Sequence, residues 1–217
     1  KLREETANLW ADNFGVRIFE AYGSTETSST VAVNTPMYFK AGSVGRFLPY
    51  IEYKLVDMPE MEGSRLYVKG ENIMSGYIKD GVLSVPKTLV DGWYDTGDIV
   101  NMDEDGFLTV KDTTKRFVKI EGENVSLTTL ETAVSVAYPQ SKHAIVVIVN
   151  KRKEKQLVLF TTDTNIMPEE LEKIFSDKSI NVSGIAKTIE VLHEIPIVGT
   201  GKTDYNKLIE IARKKFK

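Results

Sequence analysis

KDTTKRFVKIEGENVS, residues 111–126, is where the chain changes character. Residues 1–110 carry 10 basic and 17 acidic side chains, whereas residues 111–217 carry 18 and 14. The local texture changes at the same place. From about Gly42 to Val110, short β-like runs follow one another: Tyr53–Val56, Arg65–Val68, Gly76–Ile78, Ile99–Asn101 and Phe107–Lys111. Turn signals such as Glu62-Gly63 and Asp105-Gly106 punctuate them, which predicts a small barrel-like or distorted antiparallel unit. After Lys111 the pattern becomes α+β. RFVKIEGENVS reads as a hairpin turning near Gly122, and Ser126 reads as the N-cap of a helix running to about Tyr138. A domain boundary is expected near residues 112–115, giving a first body at 1–112 and a second at 113–217.

Downstream of that point, strands are expected at Ala144–Val149 and Leu157–Thr162. A helix follows, opened by Pro168-Glu169-Glu170, where a proline and two acids suit a first turn. A strand at Thr188–Leu192 leads into a glycine-containing loop, and Asp204 caps a last helix that ends in cations. Upstream, Leu2, Ala7, Leu9 and Trp10 mark an amphipathic helix. A strand at Val16–Ala21 then runs into the polar turn YGSTETSS, the kind of strand end where α/β sheets present ligand-binding loops. The fold class expected is α/β and α+β. The start inside a helix, without methionine, reads as a piece of a longer protein.

The 217 residues are 41% hydrophobic and 27% charged, which suits packed domains and argues against disorder. The net charge is −3, and the absence of cysteine removes thiol nucleophiles, disulfides and zinc–thiolate sites from consideration. The basic residues are not interleaved with aromatics of the sort that stack bases, so nucleic acid is not an expected partner. His143 and His193 stand isolated, without the spacing of a metal site or triad, and are expected to be structural. The run GTGKT at 199–203 looks like the end of a phosphate-binding P-loop, but the position that should hold its first glycine is Pro196. Proline has no N–H and a fixed φ, so that phosphate nest is not expected to form.

Four pieces, taken in order, carry more: AYGSTETS (21–28), GWYDTGDIV (92–100), KDTTKRFVKIEGENVS (111–126) and GTGK (199–202). Together they resemble the second half of the adenylate-forming superfamily of acyl-CoA synthetases, luciferases and peptide-synthetase adenylation domains. GSVGRFLP (42–49) and RLYVKGENIMSGY (65–77) look like that family's connecting motifs. Within it, WYDTGDIV, KRFVKIEGENVSL, LVLFTTD and GTGKTDY resemble the acyl-ACP synthetase part of the bifunctional 2-acylglycerophosphoethanolamine acyltransferase/acyl-ACP synthetase group. The resemblance implies that residues 1–112 end a large adenylation domain and 113–217 form its small C-terminal domain. It implies a fatty acid and ATP as substrates, Mg²⁺ as cofactor, and the phosphopantetheine of acyl carrier protein as acceptor. It also implies a cytoplasmic protein whose acyltransferase activity and inner-membrane contact lie in upstream regions.

The same resemblance implies roles for single residues. Tyr22 would lay its ring against adenine, Gly23 beside it would belong to the nucleotide site, Thr25 would bond a phosphate oxygen, and Glu26 would offer the hard oxygen that Mg²⁺ prefers. Asp98 would accept hydrogen bonds from the ribose hydroxyls, Gly122 would line the pantetheine tunnel, and Lys115 would be the hinge. Lys202 would reach the carboxylate and phosphate oxygens as the adenylate forms. One position departs from the pattern: Thr113 stands where an arginine usually contacts the ribose. Losing that guanidinium weakens nucleotide contact by about 1–3 kcal/mol unless something replaces it. Two alternatives stay open on the residues, an acyl-CoA ligase and a non-catalytic module that docks a carrier protein.

Overall fold

The computed structural model describes residues 2, 4–58, 62–120, 123–150, 153–177, 182 and 185–216. The chain divides into two compact units, Lys1–Lys115 and Arg116–Lys217.

The first unit opens with helix α1 (Glu4–Phe14), whose first turn carries Glu4 and Glu5 where acids favour the helix N-terminus. None of its residues is buried, and Leu9, Trp10 and Phe14 are exposed. The expected strand at Val16–Ala21 is much shorter: β1 is Ala21–Tyr22 alone. It pairs with β2 (Ala32–Val33), which pairs with β3 (Arg46–Phe47), all antiparallel. The larger sheet is built from β4 (Glu52–Asp57), β5 (Ser64–Lys69), β9 (Trp93–Met102) and β10 (Leu108–Thr113), in the order β10-β9-β5-β4. A short β8 (Leu89–Val90) also pairs with β9, while β6 (Tyr77–Lys79) and β7 (Val82–Ser84) form a separate hairpin. Register shifts at Arg65/Tyr67 and Val110/Asp112 bend this sheet, the local effect of a bulge. Its core is Ala32, Leu66, Val68, Tyr94, Val100 and Leu108.

The second unit begins with the hairpin β11 (Phe117–Ile120) and β12 (Glu123–Ser126). Ser126 then caps helix α2 (Leu127–Ala137), its hydroxyl accepting from Thr129 N at 3.0 Å. Strands β13 (His143–Val149) and β14 (Lys155–Thr161) pair antiparallel, and β15 (Ala186–Val191) joins β14 in parallel after helix α3 (Pro168–Asp177). Strand β13, HAIVVIV, is apolar without alternation because both of its faces are covered. Ile145 and Val147 pack with Leu130 and Val134 of α2 and with Leu171 and Phe175 of α3. Ala144, Val146 and Ile148 pack on the other side with Leu208 and Ala212 of the last helix, α4 (Tyr205–Phe216). Asp204 caps α4 by accepting from Lys207 N at 3.0 Å, and Arg213, Lys214 and Lys215 lie in its last turn, where cations oppose the helix dipole.

His143 is held between Tyr138 O at 3.0 Å and the Thr161 hydroxyl at 2.9 Å. No described helix is long and apolar enough to cross a membrane.

Candidate active site

In the first unit the polar turn after β1 folds back on itself. Ser29 N–H reaches Ser24 O at 3.0 Å and Val31 N–H reaches Tyr22 O at 2.8 Å, closing a loop around the short 3₁₀ turn Thr25–Thr27. Gly23 makes this closure feasible. A Cβ at that position would sit 1.4 Å from the Ser29 carbonyl oxygen, so no side chain fits. Ser28 and Ser29 take φ of +48° and +86°, a conformation unfavourable for residues with a Cβ, and the loop is strained there. Thr25 is exposed at its tip, and Glu26 follows, partly exposed.

Tyr22 points from the end of β1 to the middle of β9, where its hydroxyl donates to Asp98 Oδ2 at 2.6 Å. Thr113 is the β10 residue paired directly with Asp98, and its hydroxyl donates to Gly97 O at 3.1 Å. Burial pushes the Asp98 carboxyl above its ordinary range, while the hydroxyls of Tyr22 and Thr113 and the charge of Lys115 pull it back. Burial, followed by the Asp98 charge, raises the Tyr22 phenol strongly, so it remains a donor. Glu26 Oε1 accepts from the Tyr77 hydroxyl at 2.7 Å, and that bond is the main cause of its lowered pKa. Lys115, exposed in the 3₁₀ turn Thr114–Arg116, lowers Glu26 as well as Asp98. Residues from two other motifs thus surround the Asp98 carboxylate, with a second carboxylate on the adjoining turn.

The second unit holds Lys202, exposed at the tip of a tight loop. Ile197 bridges to Thr203, Val198 N–H reaches Lys202 O at 2.8 Å, and Asp204 N–H reaches Pro196 O at 2.8 Å, so the backbone below the lysine is fixed. Gly122 lies outside the described residues.

Sequence reading gave no role to Tyr77, nor to a buried cluster in the second unit. There Glu131 of α2 accepts from Arg116 Nη2 at 2.5 Å, from Ile145 N at 2.6 Å and from the Tyr205 hydroxyl at 2.9 Å. The Arg116 guanidinium lies 3.9 Å from the centre of the Tyr205 ring and also donates to Ile145 O at 2.9 Å. Burial, then the Glu131 charge, push the Tyr205 phenol up to about 12.

Residues 1–78 match the model of the AMP-binding enzyme family, a span that contains both the Gly23 turn and Tyr77. The chain is 30% identical over 216 residues to a long-chain-fatty-acid–CoA ligase of Salmonella typhimurium, covering 96% of this chain and 38% of that protein. It is similar to AMP-binding enzymes. A second relative, a medium-chain-fatty-acid–CoA ligase of Ectopseudomonas oleovorans, is 34% identical over 222 residues, covering 92% of this chain and 40% of the relative. The chain therefore spans about two fifths of the length of either relative. Among solved structures of AMP-binding enzymes, O-succinylbenzoate coenzyme A synthetase from Bacillus subtilis, in complex with AMP, is 25% identical. It superposes with a TM-score of 0.67, covering 91% of this chain and 42% of that one. The fold is that of the C-terminal part of adenylate-forming enzymes.

Proposed function

We propose that this chain is the carboxyl-side part of an ATP-dependent acid–thiol ligase that activates a fatty acid. The observation that carries the reading is the Tyr22–Asp98 contact beside the Glu26 turn. Residues 1–112 end the adenylation domain and 113–217 form the small domain, with Lys115 as the pivot. In the first step a carboxylate oxygen attacks the α-phosphorus of ATP, the bond to the β-phosphate oxygen breaks, and pyrophosphate leaves. In the second, a thiol sulfur attacks the acyl carbon and AMP leaves.

The residues suit these steps. Asp98 has one acceptor position taken by Tyr22, and a carboxylate has about four, so the ribose hydroxyls take others. The Thr113 hydroxyl, directly across from Asp98, gives its one proton to Gly97 O and so offers the ribose only an acceptor, not the charged donor of the usual guanidinium. Gly23 and the Tyr22 ring offer a flat approach for adenine, and Thr25 an exposed hydroxyl for phosphate. No group of three or more His, Asp or Glu able to hold a metal occurs among the described residues. Glu26, a single partly exposed carboxylate, fits Mg²⁺ carried with the nucleotide, since that ion usually takes one or two carboxylates and fills its remaining positions with phosphate oxygens and water. Glu26 would be the carboxylate. Lys202 would supply a fixed cation at the carboxylate and phosphate oxygens, where charge builds in the first step, and the loop bearing Gly122 would admit the thiol arm in the second.

For the acceptor we take the phosphopantetheine of acyl carrier protein, on the likeness of KRFVKIEGENVSL, LVLFTTD and GTGKTDY to acyl-ACP synthetases, with acyltransferase activity elsewhere in a bifunctional, cytoplasmic protein. Coenzyme A is the second reading, favoured by the relatives that are fatty-acid–CoA ligases. Both are tested in the full-length enzyme. ATP–pyrophosphate exchange should require a fatty acid and Mg²⁺, and thioester should then form on added acyl carrier protein but not on coenzyme A. Thioester on coenzyme A alone selects the second acceptor. Absence of fatty-acid-dependent exchange sinks the ligase reading altogether.

A further inference from the structure

The Glu26 turn is held from outside itself. After β5 the chain runs through Gly70-Glu71-Asn72-Ile73-Met74 and returns at Tyr77, and this strap bonds three consecutive residues of the turn. Met74 N–H donates to Glu26 O at 2.9 Å, the Asn72 amide donates to Thr27 O at 2.8 Å, and the Ser28 hydroxyl donates to Asn72 O at 2.8 Å. The fourth bond is the Tyr77 hydroxyl to Glu26 Oε1 at 2.7 Å. The first two act on the backbone and the third on the Ser28 side chain of a loop whose Ser28 and Ser29 are strained, and together they fix where the Glu26 Cα sits. Only the fourth acts on the carboxylate. Tyr77 is 46% exposed, so packing does not account for a phenol at this position.

We propose that Tyr77 is a positioning residue for adenylation, holding Glu26 through Oε1 so that Oε2 is turned outward for Mg²⁺·ATP, on a turn that Asn72 and Met74 keep in place. The proposal rests on the reading of Glu26 as the magnesium-binding carboxylate. Without the phenol the Glu26 side chain loses the strongest bond that orders it, and more of that ordering falls to the incoming metal. A neutral donor bonded to a carboxylate is a charge-assisted bond, and losing one weakens binding by about ten-fold or more.

The test is Tyr77→Phe in the full-length enzyme, which keeps the ring and removes one oxygen. The Mg²⁺ concentration giving half-maximal ATP–pyrophosphate exchange should rise about ten-fold, with the rate recovering at high Mg²⁺. Glu26→Gln is run beside it. If Glu26→Gln shifts the Mg²⁺ dependence and Tyr77→Phe does not, the positioning role is overturned and the reading of Glu26 stands. If Glu26→Gln leaves the Mg²⁺ dependence unchanged, both fall. A Tyr77→Phe rate that is lowered equally at all Mg²⁺ concentrations, with a lowered melting temperature, marks Tyr77 as structural support for the hairpin and also overturns the proposal.

Discussion

Glu131→Ala puts the buried cluster of the second unit to the test. The Arg116 and Glu131 side chains are only 12% and 14% exposed, so their attraction is screened far less than that of a surface pair. Truncating Glu131 leaves a guanidinium buried without its counter-charge, and breaking a buried pair in this way costs about 3–5 kcal/mol. Ile145 N–H also loses its acceptor, which places the expected loss toward the upper end of that range. For a unit of this size each kcal/mol lowers the melting temperature by about 4–8 °C, so the drop should be at least about 12 °C. Thermal melts followed by circular dichroism measure it, and hydrogen exchange locates it. Exchange at Ile145 and along β13 and α2 should accelerate, while amides of β5 and β9 in the first unit serve as reference. The double variant Arg116→Met/Glu131→Leu should regain most of the loss, because two apolar side chains remove both charges together. A loss under about 1 kcal/mol for Glu131→Ala would mean that the pair behaves as a solvated one. A double variant no better than the single would place the loss in packing rather than in an unpaired charge.

Three further outcomes are expected. Gly23→Ala should lower ATP–pyrophosphate exchange in the full-length enzyme by about 100-fold, since the added methyl must displace the Ser29 backbone by more than an ångström; near-normal exchange would mean the turn opens freely. Asp98→Asn separates stability from binding. Burial raises the folded-state pKa of Asp98, so between the ordinary carboxylate value of 3.8 and that raised value the folded state holds a proton the unfolded chain has released, and stability falls as pH rises through this window. The asparagine variant should therefore melt at the same temperature as the parent or higher at pH 7, with the gap closing below about pH 3.8, yet bind AMP poorly by calorimetry; a much lower melting temperature at neutral pH would contradict this. Lys202→Ala in the full-length enzyme should reduce adenylate formation by about 100-fold or more while transfer from preformed acyl-adenylate survives, and equal loss of the two half-reactions would remove Lys202 from the first step.

The parts of this fold legible in the sequence are those whose physics is local. Ser126 and Asp204 are legible as caps because a cap needs only its own oxygen and an N–H a turn away. Strand β13 is legible because six apolar residues in a row suit a strand covered on both faces. The stretch at Val16–Ala21 shows the limit of that logic. VRIFEA has the β-branched and aromatic composition of a strand, but composition does not specify whether another strand lies alongside. Pairing among the described residues begins only at Ala21, and Val16 and Phe19 remain exposed. The Tyr22–Asp98 contact joins residues 76 apart in sequence and is not legible there, since nothing within either stretch specifies the other.

Charged residues mark a deeper limit. Taken singly, Arg116 and Glu131 read as surface residues, because an isolated charge is almost never fully buried. They become buried as a pair, and the pair exists only once α2, β13 and α4 have come together around it. Burial is thus a property of the assembled cluster, which no window of sequence contains. Arg116 directly follows Lys115, the proposed pivot, and Tyr205 lies two residues beyond Thr203, which bridges to Ile197 at the base of the Lys202 loop. Through Glu131 the start of the second unit and the base of its lysine loop share one acceptor, so a rotation at Lys115 would carry both ends as one body. A hinge placed further downstream would have to break those bonds first, and this favours Lys115 over any position after Arg116 as the point where the backbone turns.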